Sequence, residues 1–114
     1  MPNPGDVVTV DFPGATGVKR RPAVVVSSDL YHAHRPDLIL GALTSQVASA
    51  TAPTDYILQD WAGAGLHAPS AFRAYFGMAV PSAVRVIGHL SNRDWSAVQA
   101  RLALAFAPPV STNP

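Results

Sequence analysis

The 114-residue chain has no cysteine. That excludes disulfides, thiolate metal sites and a cysteine nucleophile, and it leaves the compartment unset by redox chemistry. Glutamate is also missing, so all seven acids are aspartates. Charge is sparse: 13% of residues carry it, and eight Lys/Arg leave a net +1. This is not the strongly basic balance of a general nucleic-acid coat. Long apolar runs are absent as well. No stretch approaches the roughly 20 apolar residues of a membrane helix, and the start Met-Pro-Asn-Pro-Gly-Asp lacks the basic and apolar regions of a signal peptide. The expected compartment is the cytoplasm, with no membrane contact.

What is present fits one domain over residues 1–114. A chain of this length buries roughly two thirds of its unfolded surface, enough for a core without staples. The apolar fraction of 48% against 13% charged leaves apolar surface over, and a subunit interface is the expected outlet for it.

Eleven prolines and eight glycines divide the chain into short β-rich runs. In Asp6 to Phe12, Val8, Val10 and Phe12 share one face, while Val7, Thr9 and Asp11 share the other. Pro13 to Gly17 reads as a loop of turn formers. Val24, Val25 and Val26 follow without alternation, as in a strand covered on both faces. Tyr31 to Pro36 reads as a loop, Asp37 to about Ser45 as a strand, and Asp55 to Leu58 as a short strand. Asp60 to Ser70 is loop-like. Phe72 to Val80 alternates, with Phe72, Ala74, Phe76, Met78 and Val80 on one face, and Val84 to Leu90 does the same. Ser91 and Asp94 form an Asp version of the capping box, with Leu90 and Trp95 placed as a staple. Trp95, Val98, Leu102 and Phe106 then mark a helical stripe, and Pro108 and Pro109 stop it. The core is expected over about 4–106 and a flexible tail over 107–114. Five to seven short strands closed by one C-terminal helix predict a mainly β fold, a small barrel-like sheet.

Few residues offer chemistry. His32, His34, His67 and His89 have the right type for acid–base work, but no motif pairs them, and no third ligand accompanies His32 and His34. Asp6 and Asp11 fall on opposite faces of a regular strand. Gly63-Ala64-Gly65 lacks the strand–loop–helix context of a phosphate loop. Arg21-Pro22 stands out, because the residue before proline is held extended. A guanidinium fixed there can grip a phosphate through two parallel hydrogen bonds; pairing with an aspartate is the plainer alternative. Lys19 and Arg20 extend the basic run. Leu43-Thr44-Ser45-Gln46 switches from apolar to hydroxyl and amide groups, suited to phosphate oxygens or to capping backbone.

Taken together, these segments resemble MazF/PemK-like toxins. The similar segments are Gly5-Asp6-Val7-Val8-Thr9-Val10-Asp11-Phe12, the basic run with Arg21-Pro22-Ala23-Val24-Val25-Val26-Ser27, and Leu43-Thr44-Ser45-Gln46, with Gly65-Leu66, Pro69-Ser70 and Gly88-His89-Leu90-Ser91 after them. The resemblance spans roughly residues 4–106. It implies an SH3-like barrel of the MazF/CcdB type with a C-terminal helix, a homodimer and a cognate antitoxin that blocks the RNA groove. DNA contact is implied only through the antitoxin complex. It also implies metal-independent, sequence-specific cleavage of single-stranded RNA, with no cofactor. The family's catalytic arginine falls on Arg21 and its catalytic threonine on Thr44. Lys19, Arg20, Ser45, Gln46, Arg73 and Arg85 are the expected RNA-binding residues, with base reading over Pro13 to Arg20. Trp61, Tyr75 and Phe76 are candidates for base stacking, although strand aromatics are usually core.

Two other readings compete. A CcdB-like topoisomerase poison shares the fold, but its activity resides at the extreme C-terminus, where this chain has the Pro-rich stretch Ala107 to Pro114. A catalytically silent module that binds only antitoxin or RNA is kept in view by His89 and by the small residues of 47–53.

Overall fold

Val7 and Val8 are neighbours in sequence and both are fully buried, so their strand has a hydrophobic cluster on each side. The computed structural model describes residues 1–14 and 17–106. The strands are β1 (Asp6–Gly14), β2 (Gly17–Val25), β3 (Leu38–Thr44), β4 (Tyr56–Ile57), β5 (Ala71–Ala79) and β6 (Arg85–His89). Helix α1 (Asp29–His34) lies between β2 and β3, and α2 (Asn92–Ala105) follows β6. The strands form one antiparallel sheet in the order β4-β5-β3-β2-β1-β6. Register shifts at Val7/Val8 and at Gly41/Leu43 bend strands locally and help the sheet curl. This is the mainly β class with a C-terminal helix that the sequence predicts.

One cluster gathers Val7, Val24, Leu43, Phe72 and Leu90 with Val98 of α2. The other gathers Val8, Val10, Ala23, Val25, Leu38 and Leu40. Val24 and Val25 point into different clusters, which is why that run shows no alternation. Each fully buried Val, Leu or Phe side chain contributes on the order of 1.5–3 kcal/mol.

Several expectations change. The segment read as a loop over Pro13 to Gly17 is mostly strand, since Pro13 pairs with Val18 and Gly14 with Gly17. Turn formers there mark a hairpin end, and ladder pairing continues almost to its tip; Ala15 and Thr16 lie outside the described residues. Tyr31 to Pro36 is not all loop, because α1 forms where Ser28 Oγ accepts from the Tyr31 N–H at 3.1 Å. That helix buries no residue, so it leaves no apolar stripe to read. In β5 the alternation holds at Phe72, Ala74 and Phe76, but Met78 and Val80 are exposed. The Gly41/Leu43 shift places Arg73, Ala74 and Tyr75 against Ala42, and Phe72, Ala74 and Phe76 keep to the helix-side cluster across it. Beyond Phe76 the strand packs through Ala79 against the second cluster instead. The capping box is half formed: Ser91 Oγ accepts from the Asp94 N–H at 3.2 Å, while the Asp94 carboxylate is engaged elsewhere. The expected proline stop and tail lie outside the described residues.

Candidate active site

A cleft opens where a ladder ends. β2 pairs with β3 through Val25↔Leu40, Val24↔Gly41 and Ala23↔Ala42. The ladder stops beside Pro22, which has no N–H to donate. Carrying the same register onward brings Arg21 level with Thr44, the last residue of β3. Arg21 therefore lies within β2, opposite Val10 of β1, and not at the junction of loop and strand that the sequence predicts. Its pre-proline geometry is extended in either setting.

Arg21, Thr44 and the residues around them line a cleft of about 530 Å³. Arg21 is exposed and has no ion pair among the described residues. Thr44 Oγ1 accepts from the Gln46 N–H at 3.2 Å, which leaves its own O–H free to donate outward. Lys19 and Arg20 line the same wall, Ser45 continues it, and Thr9 of β1 forms its floor with Ile87 of β6. Arg20 pairs with Asp11 at 3.2 Å, both side chains being about half exposed or more, at 48% and 60%. Such an exposed pair contributes about 0–1 kcal/mol, so a phosphate can displace the carboxylate. Among the described residues, no acid lines the cleft. Its field is positive, with Lys19, Arg20 and Arg21 on one side.

The opposite wall is the loop over 58–70, which contributes Leu66, His67, Ala68 and Ser70. Gly65 has φ +86°, and a Cβ there would lie 2.2 Å from the Ile87 carbonyl oxygen. A Cβ on Gly88 would lie 2.1 Å from the Ala64 oxygen. Two glycines thus let the loop backbone press directly against β6. Ala64 and Leu66 are buried in the helix-side cluster, and Ser70 Oγ donates to the Ala68 carbonyl at 2.9 Å. The start of the loop is tied to α2. Buried Asp94 accepts from Tyr56 O–H at 2.7 Å, Gln59 N–H at 3.0 Å and Asp60 N–H at 2.8 Å. Asp60 accepts from Ser91 O–H at 2.6 Å and from Arg93 at 2.7 Å. Arg93 and Ser91 hold the Asp60 carboxyl below the usual carboxylate range, and Asp60 in turn raises Arg93. Burial, with Asp94 adjacent, pushes the Tyr56 hydroxyl up to about 12.

The cleft brings together Arg21, Thr44, Lys19, Arg20 and Ser45 of the residues singled out in the sequence. It does not include Gln46, Arg73 or Arg85. Gln46 supports Thr44 through its backbone, Arg73 sits 3.9 Å from Asp55 in another depression, and Arg85 is exposed on β6 opposite Thr9. Trp61 and Phe76 pack against the core. Tyr75 is exposed, and with Phe12 it borders a small hollow on the other side of Arg21 and Thr44. Sequence reasoning did not single out Thr9 or Ser70 for the site, and it named His67 only as one of four histidines, between the Gly65-Leu66 and Pro69-Ser70 landmarks. His89 is engaged with Asp6 at 2.8 Å and His32 with Ser27, both away from the cleft. Among the described residues, no three His or Asp side chains gather as a metal-ligand set. No helix among them is long and apolar enough to cross a membrane.

The sequence profile of the PemK-like, MazF-like toxins of type II toxin–antitoxin systems matches residues 3–106. The chain belongs to this family. No curated protein sequence matches it. Among solved structures, this MazF-like chain is similar to a mycobacterial endoribonuclease in complex with its cognate antitoxin, with TM-score 0.75 and 18% identity over 97% of this chain and 100% of that one. It is also similar to MazF in the MazE–MazF complex of Deinococcus radiodurans, with TM-score 0.69 and 17% identity over 94% and 96% of the two chains. Mycobacterium tuberculosis toxin MazF-mt6 gives TM-score 0.67 and 17% identity over 89% and 95%. At these identities the likeness establishes the fold.

Proposed function

We propose that this MazF-like toxin cleaves single-stranded RNA at the Arg21–Thr44 cleft without a metal. The observation that carries this reading is the pairing of an unengaged guanidinium with a threonine hydroxyl free to donate, in a cleft lined by cations and by no acid. The ribose 2′-OH attacks the adjacent phosphorus, a new P–O2′ bond forms and the P–O5′ bond breaks. The products are a 2′,3′-cyclic phosphate and a 5′-hydroxyl. Charge develops on the phosphorane oxygens, and fixed donors aimed at that charge lower the barrier. Arg21 supplies the positive charge that a metal would otherwise bring. It also gives a proton to the departing 5′-oxygen, and the proton lost by the 2′-OH returns to it through water. Thr44 orients the phosphate, and Ser45, Lys19 and Arg20 hold the flanking backbone. The hairpin arm up to Arg20 is where bases are read, which makes cleavage sequence-specific.

Lacking a 2′-OH, DNA is not cut, and it meets the toxin only through the antitoxin complex. The antitoxin covers the same cleft. The exposed Tyr75, Met78 and Val80 supply apolar surface for a homodimer in the cytoplasm.

Incubating the protein with a long single-stranded RNA in EDTA tests the reading, with Arg21→Ala alongside. Wild type should cut, and Arg21→Ala should be slower by roughly 10²-fold or more. Intact RNA with wild type across several substrates would favour a silent module that binds only antitoxin or RNA.

A further inference from the structure

A guanidinium is a poor proton acceptor, because it stays charged at any ordinary pH. The attacking 2′-OH must still lose a proton, and the Arg21–Thr44 wall holds nothing to take it. Thr9, Thr44, Ser45 and Ser70 offer only hydroxyls, while Lys19, Arg20 and Arg21 carry donor groups with no acceptor. One described lining side chain remains that carries a nitrogen able to accept a proton, the imidazole of His67.

We infer that His67 is the general base of this site, taking the proton from the ribose 2′-OH across the cleft from Arg21 and Thr44; the inference rests on the RNA-cleaving reading above. The chain places His67 there deliberately. Gly65 and Gly88 allow the loop to press against β6, burial of Leu66 fixes the preceding residue, and the Ser70 hydroxyl bond to Ala68 closes the turn beyond it. His67 itself is exposed to the cleft, and no hydrogen bond occupies its ring among the described residues. The other histidines are placed differently, with His32 on Ser27, His89 on Asp6 and His34 at the end of α1.

The 2′-O–H bond breaks and its proton passes to a ring nitrogen of His67 as the P–O2′ bond forms. The P–O5′ bond breaks and the 5′-oxygen takes a proton from Arg21. Water then carries the proton from His67 away and restores that of Arg21. The charged groups that line the cleft with His67 are Lys19, Arg20 and Arg21 of β2; among the described residues β1, β3 and β6 add Thr9, Leu43, Thr44 and Ile87, with Ser45 just after β3.

The test compares wild type, His67→Ala and His67→Gln on one single-stranded RNA in EDTA, measuring kcat and KM across pH, with melting curves recorded for each. His67→Ala should lower kcat by roughly 10²-fold or more, with KM and the melting temperature little changed. The rising limb of the wild-type pH profile should vanish in His67→Gln, and added imidazole should restore part of the activity of His67→Ala. Wild-type rates in His67→Ala, or a loss confined to KM with an unchanged pH profile, would overturn the assignment while leaving the RNA-cleaving reading standing. Wild type that cuts no RNA would overturn both.

Discussion

Asp94 is fully buried and accepts three hydrogen bonds, from Tyr56, Gln59 and Asp60. A buried carboxylate with its lone pairs occupied is stable, whereas one deprived of a partner costs several kcal/mol. Tyr56 shares that environment, and its hydroxyl pKa is pushed from 10.0 up to about 12. A pKa raised by folding contributes stability that is whole below the unfolded value and is lost as pH rises through the folded one. The window is therefore about pH 10 to 12. Urea unfolding across this window should show wild type losing more stability than Tyr56→Phe, whose ring cannot ionise. Equal losses in the two proteins would contradict the Tyr56–Asp94 contact. At this scale Arg21 and Thr44 could be singled out as a pre-proline arginine and a strand-end threonine, and the cleft brings the two together. The roles proposed for them come from the family resemblance and not from those local signatures. Asp94 was legible only as a cap. Its true partners lie 34 to 38 residues away in sequence, and no local pattern encodes them. His67 was seen as a residue type without a place, because a loop has no period from which to infer what it faces.

Gly65 and Gly88 make the loop over 58–70 and β6 behave as one piece. Gly65→Ala introduces a Cβ at φ +86° and 2.2 Å from the Ile87 oxygen. The left-handed backbone costs ~1–2 kcal/mol and overpacking ~1–3 kcal/mol more. Gly63→Ala, in the same loop, meets only the Asp60 oxygen at 3.8 Å, and its effect should stay within about 0.5 kcal/mol. Denaturant unfolding separates the two, and RNA cleavage should fall in Gly65→Ala alone as His67 is displaced. Similar stability and activity in both variants would mean that the loop is not seated on β6. The strands were readable from alternation, Pro and Gly, whereas α1 was not, since it buries nothing. The Met78 and Val80 positions failed because beyond Phe76 the strand packs through Ala79 against the second cluster, which leaves Met78 and Val80 exposed. The end of the basic run was misread for a related reason: ladder pairing carries β1 and β2 beyond the core as a hairpin, and turn formers do not say how far.

For the molecule as a whole, the sheet order places three of its eight Lys/Arg residues on one cleft, while net charge stays at +1. On the proposed reading, field focusing and not overall charge draws the RNA to this protein. The fold persists at 17–18% identity to the MazF structures because the core demands apolar residues at given positions and not particular ones. The overall class was therefore readable from pattern, and the cleft was only partly so, since its second wall is assembled by contacts distant in sequence. The central claim is that the RNA's own 2′-OH is the nucleophile at the Arg21–Thr44 cleft. The most direct measurement uses one RNA cut by the protein in EDTA and the same RNA carrying a single 2′-deoxyribose on the 5′ side of the scissile bond. The all-ribose strand should be cut to a cyclic phosphate and a 5′-hydroxyl, and the substituted bond should stay intact. Cleavage of the substituted bond at the same rate would contradict the account.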